Sequence, residues 1–132
     1  MTPEERIEYS KLRIETAYKT FQAANILAQN GFWNSAVNRL YYSIFYAVNA
    51  LLVFNEIYTH SHSGMRNQFS RYFIKTGKID KKYGKLMAQL YDWRQTGDYE
   101  NLYEFTEDSV NLLFEPVNEM IGIIENEIKN GQ

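Results

Sequence analysis

Residues 36–52 read AVNRLYYSIFYAVNALL. Val37, Leu40, Ile44, Val48 and Leu51 recur at helical spacing, and Tyr41, Phe45 and Leu52 widen the same face. A helix this apolar belongs at the centre of a bundle, so the charge it carries, Arg39, must find a partner. With Asn38 and Tyr42, Arg39 forms a polar cluster open to two readings. It either staples the helix to a carboxylate such as Asp98 or Glu104, or forms with Arg94 the walls of an anion-binding cleft. Tyr42 and Tyr46 lie on the same flank as Arg39, within reach of one another.

Working outward, every flanking segment also reads as helix. On the N-terminal side Thr2 is a candidate N-cap, Pro3 suits a first helical turn, and Glu4 and Glu5 complement the helix dipole. Ile7, Ile14, Tyr18, Phe21, Ala24 and Ala28 then form a stripe that Asn30-Gly31 should end. Beyond Asn55, the polar run THSHSG predicts a loop and a cap at Ser61 or Ser63. A short helix with Met65, Phe69 and Phe73 should follow and stop at Lys75-Thr76-Gly77. Asp80 is the expected cap of a helix carrying Tyr83, Leu86, Met87, Leu90 and Trp93, with Gly97 as its predicted stop. Thr106 should cap a last helix with Val110, Leu113, Val117, Ile121, Ile124 and Ile128, in which Pro116 predicts a kink near residue 112. No alternating strand pattern competes, so the expectation is an all-α antiparallel bundle of about five helices in a single domain spanning residues 1–132.

Composition narrows the function classes. The 132 residues contain no cysteine, which excludes disulfides and thiolate metal sites. The charged N-terminus lacks the apolar core of a signal peptide, and the longest apolar run, Leu40 to Phe54, is too short to span a bilayer. A cytoplasmic protein without a membrane partner is expected. Net charge is −2 but unevenly placed. Residues 60–94 hold eight basic side chains against two acids, and residues 95–132 hold nine acids against Lys129. Such asymmetry marks either a phosphate-binding face or two faces that attract each other or a second subunit. Tyr72, Phe73, Tyr83 and Trp93 interleave with the basic run and could stack bases, but only a ring exposed beside a cation would count.

His60 and His62 are spaced to share a metal, yet no further His or Cys exists to complete a site, so no metal or other cofactor is expected. A cap or loop support is the plainer role for one of them. If their loop folds toward Arg94, a histidine there would supply a group that exchanges protons near neutral pH.

Four stretches, GFWNSAVNRLYYSIFYAVNALL (31–52), HSHSGMRNQFSRYFIKTGKID (60–80), LYDWRQTGDYENL (90–102) and the acidic final helix, together resemble the HEPN superfamily, in its short single-domain prokaryotic branch. The resemblance runs from about Ile7 to Ile128 and implies a helical bundle packed as a homodimer. It also implies association with nucleotide or RNA, and with a minimal nucleotidyltransferase as in toxin–antitoxin pairs. Active members are metal-independent ribonucleases with a histidine four to six residues after an arginine. Here the arginine is Arg94, and the position five residues on holds Tyr99, which stays protonated at neutral pH where histidine would exchange a proton. Arg94 and Tyr99 are thus the catalytic candidates, and Arg39, His60, His62, Arg66, Arg94, Asp98 and Tyr99 the nucleotide- or RNA-contacting ones. The leading expectation is a HEPN protein that acts by binding. A ribonuclease toxin with a divergent site, and a protein-interaction module without a nucleic-acid role, are the alternatives.

Overall fold

Thr2 starts the first helix by accepting the Glu5 N–H on Oγ1 at 3.1 Å while its own N–H donates to Glu5 Oε1 at 3.1 Å, a reciprocal cap behind Pro3. In the computed structural model, which describes residues 1–99 and 103–132 with Tyr99 as backbone alone, this helix, α1, spans Pro3–Gln29. It turns at Gly31, whose φ of +78° favours glycine. α2 (Trp33–Phe54) returns antiparallel, so that Tyr9 and Ser10 near the start of α1 bond Asn49 and Ala50 near the end of α2. Twelve of the 22 residues of α2 are buried, which makes it the central helix.

Ser61 caps α3 (His62–Phe69) by accepting the Gly64 N–H. Helical winding then continues, but as one π-helical turn over Ser70–Ile74, closed by Lys75 N–H donating to the Ser70 carbonyl at 2.8 Å. Asp80 Oδ1 accepts the Lys82 N–H at the start of α4 (Lys81–Tyr99). α5 (Glu107–Asn130) begins at Thr106, whose Oγ1 accepts the Ser109 N–H. α2 packs against α1, α3, α4 and α5, and no strand occurs among the described residues. No helix among them is long and apolar enough to cross a membrane.

One predicted boundary is wrong. Gly97 does not stop α4, which runs on to Tyr99. Packing favours glycine here: a Cβ would come within 3.0 Å of the Phe105 ring, which would have to give way, and within 3.6 Å of Asn34. α5 meanwhile runs as one helical segment across Pro116. The carbonyl deprived of its ladder bond belongs to Leu112, which is 77% exposed, so water can take that bond.

Candidate anion-binding site

The polar groups predicted separately on three helices meet where α2, the start of α3 and the end of α4 come together. At the centre, the Tyr41 hydroxyl and His62 Nδ1 share a hydrogen bond of 2.7 Å. Tyr41 is fully buried in the face of α2, and burial pushes its phenol up to about 12, so it stays protonated. The bond can run either way. Donation by the phenol leaves the imidazole proton on Nε2, whereas donation by Nδ1–H leaves Nε2 with a lone pair. The His62 ring also stacks on Tyr41 and lies 4.6 Å from the Phe45 ring centre.

Two guanidiniums flank this pair. Arg66, one turn beyond His62 on α3, sits over the Tyr91 ring at 3.8 Å, and Tyr91 in turn touches Tyr41. Arg94 reaches over both Tyr41 (5.3 Å) and Tyr42 (5.4 Å), with its side chain only 12% exposed. Burial, then Arg94, then Arg66 all lower the pKa of His62, so the imidazole is neutral at pH 7. A neutral imidazole between two cations can accept a proton, and the cations can hold an anion beside it.

Arg39 and Arg94 each lie over the Tyr42 ring, at 5.1 and 5.4 Å, but the partner of Arg39 differs from the carboxylate expected. Its Nε and Nη2 both donate to Asn38 Oδ1, at 3.1 and 2.8 Å, and its guanidinium stacks on Tyr42 at 5.1 Å. Among the described residues no carboxylate lies within ion-pair distance of Arg39. Asn38 takes the place expected of Arg39: its Nδ2 donates to Asp98 Oδ2 at 2.9 Å. The same carboxylate oxygen lies 3.4 Å from Arg94 Nε. The amide of Asn38 serves both sides, its oxygen taken by Arg39 and its nitrogen turned to Asp98. The tie between α2 and the Arg94 turn therefore exists, through Asn38 and Asp98.

The remaining candidates divide. His60 is exposed in the loop before α3, whereas His62 turns inward onto Tyr41, so the two do not form a pair. The side chain of Tyr99 lies outside the described residues. Of the aromatics in the basic run, Phe73 and Tyr83 are buried, and Tyr72 is 40% exposed with Arg71 over its ring. Arg66 also borders a groove of about 410 Å³ between the π-helical turn and α4, rimmed by Lys81 and Lys85.

Sequence reading counted Tyr41 as core and did not single out Tyr91. The available signal was chemical: a tyrosine at the centre of a buried helical face carries a hydroxyl that needs a partner, which phenylalanine would not.

Comparison with known proteins agrees with the helical geometry. The HEPN domain profile matches residues 10–127. A protein of Thermotoga maritima called a UPF0332 protein is 42% identical over 81% of this chain and 79% of its own length. Two proteins of Methanocaldococcus jannaschii bearing the name putative toxin are also similar. One is 39% identical over 80% of this chain and 71% of its own. The other is 32% identical over 77% and 76%.

Proposed function

This chain belongs to the HEPN domain family, and on that premise we propose that it binds RNA or nucleotide phosphates at the Arg66–His62–Arg94 cluster. One observation carries the reading: two guanidiniums from different helices flank a neutral imidazole that a buried phenol orients. A phosphodiester is an anion that both cations suit, with Arg94 keeping its Asp98 contact on one side, and Arg66 and Arg94 would hold its oxygens by charge-assisted hydrogen bonds. The chain works as a homodimer in this reading, with a nucleotidyltransferase as the partner that the HEPN resemblance suggests.

A second reading is favoured by His62 and by the names of the two Methanocaldococcus relatives. With Nδ1–H donated to the Tyr41 oxygen, the imidazole Nε2 would take the proton of a ribose 2′-hydroxyl as that oxygen attacks the adjacent phosphate and the P–O5′ bond breaks, leaving a 2′,3′-cyclic phosphate and a 5′-hydroxyl that takes its proton from water. Arg66 and Arg94 would stabilise the charge that develops on the phosphoryl oxygens. His62 would then do what the family histidine does after the arginine, from a different helix.

Purified protein incubated with mixed RNA in EDTA, beside His62→Ala and Arg94→Ala, separates the two. Binding without cleavage, weakened about tenfold or more in Arg66→Ala and Arg94→Ala, is the result expected of the first reading. Cleavage abolished in both His62→Ala and Arg94→Ala would establish the second. Wild-type affinity in the arginine variants would remove the cluster from either.

A further inference from the structure

A line of arginines and tyrosines, in the order Arg39, Tyr42, Tyr46, Arg13 and Tyr9, runs past His62 along one flank of α2 and onto α1. The Tyr42 ring centre lies 6.1 Å from His62 and 6.1 Å from Tyr46. Arg39 stacks on Tyr42 at 5.1 Å, and Arg13 lies between Tyr46 (5.4 Å) and Tyr9 (5.2 Å). All five side chains are half-buried, with neither the full burial of core residues nor the freedom of surface ones.

The line is held in place by neutral groups. Arg13 Nε donates to the Tyr9 hydroxyl at 3.0 Å, and that hydroxyl donates to Asn49 Oδ1 at 2.7 Å. Arg39 is held by the Asn38 amide oxygen. Among the described residues no carboxylate comes within ion-pair distance of Arg13 or Arg39, and Asp98 reaches Arg39 only through the Asn38 amide. Along α2 the positions Arg39, Tyr42, Tyr46 and Asn49 span about 15 Å at the helical rise.

On the reading of the cluster given above, we infer that this line is a binding track for single-stranded RNA, which takes the nucleotides adjacent to the phosphate held at Arg66 and Arg94. Tyrosine rings set beside guanidiniums suit a single strand, whose splayed bases stack on rings while its phosphates meet cations. A duplex keeps its bases stacked on one another and offers none to the rings. A second copy of the chain is the competing occupant of this face, and the oligomeric state of a Tyr46 variant distinguishes it.

The test uses 2′-O-methyl RNA, which has no free 2′-hydroxyl to attack the phosphate, as single strands of about 4 and about 12 nucleotides. Affinity is measured by fluorescence anisotropy across a salt series, and melting curves confirm that each variant is folded. Wild type should bind the longer strand more tightly than the shorter. Tyr46→Ala should weaken the longer strand about tenfold or more while leaving the shorter one unchanged, and Tyr46→Phe should bind like wild type. Arg13→Gln, on the half-buried flank of α1, should make the logarithmic salt dependence shallower by about 0.7.

Wild-type affinity and salt slope for the longer strand in both Tyr46→Ala and Arg13→Gln would overturn the track, while loss of the short strand in Arg94→Ala would leave the cluster standing. Absence of binding to either length by wild type would remove cluster and track together. A Tyr46→Ala chain that falls from dimer to monomer by light scattering, with unchanged RNA affinity, would show that this face joins two copies instead.

Discussion

At His62, burial and two nearby guanidiniums act in one direction, holding the pKa below the ordinary imidazole value of 6.5. The unfolded chain therefore binds a proton that the folded chain refuses as pH falls through about 6.5, and stability declines until the folded pKa is passed. Above about 6.5 both states are neutral at this residue and it contributes no slope. A melting-temperature profile between about pH 8 and pH 5 should fall on its acid side, and His62→Gln should flatten that part. Tyr41 makes a separate prediction. Tyr41→Phe should cost about 1 kcal/mol in chemical denaturation, and nitrogen chemical shifts should show His62 losing its tautomer preference. An unchanged tautomer would count against the phenol as the group that orients the ring.

Among the elements, the junction between α4 and α5 shows what fixes the Arg94 turn. Asn34, near the start of α2, accepts the Phe105 N–H on Oδ1 at 2.9 Å and donates from Nδ2 to the Tyr103 carbonyl at 2.8 Å. Phe105 is buried, stacked on Trp93 and pressed against Gly97. Asn34→Ala leaves both backbone groups without that partner and should destabilise the chain by about 1–3 kcal/mol. Gly97→Val forces a branched side chain into the Phe105 ring and should cost a similar amount, about 1–3 kcal/mol, despite valine's better helix propensity. Both are read from urea midpoints, and a midpoint at the wild-type value for Gly97→Val would mean that Phe105 moves aside freely. In the sequence these positions look ordinary: a glycine near a helix end reads as a stop, and only the ring stacked over it shows that the helix continues. The π-helical turn at Ser70–Ile74 was equally hidden, because one shifted hydrogen bond leaves the apolar spacing of Met65, Phe69 and Phe73 intact.

For the molecule as a whole, the charge asymmetry of the sequence is divided between elements, with the basic residues on α3, the π-helical turn and α4 and the acids concentrated on α5. The basic side includes Arg66, Arg94 and the lysine-rimmed groove. RNA affinity should therefore fall steeply with added salt, and Lys81→Ala with Lys85→Ala should lower it without removing it, since the guanidiniums remain. Light scattering at micromolar concentration should give about twice the chain mass of 15.6 kDa, and a mass of one chain would overturn the homodimer.

Amino-acid order alone carried the family, the all-α bundle, the central place of α2 and most helix ends, because periodicity, caps and turn residues act within a few positions of one another. It also put Arg39, Tyr42 and Tyr46 on one flank, where Tyr42 meets both of the others, since neighbours on one helical face follow from spacing. The site needed more. That His62 and not His60 turns inward, that it meets Arg94 across Tyr41, and that Asn38 stands between Arg39 and Asp98 all depend on how three helices cross. Crossing geometry is decided by side-chain packing between distant segments. No histidine follows Arg94 within six residues in the sequence, and only the fold brings His62, from another helix, to the ring that Arg94 covers.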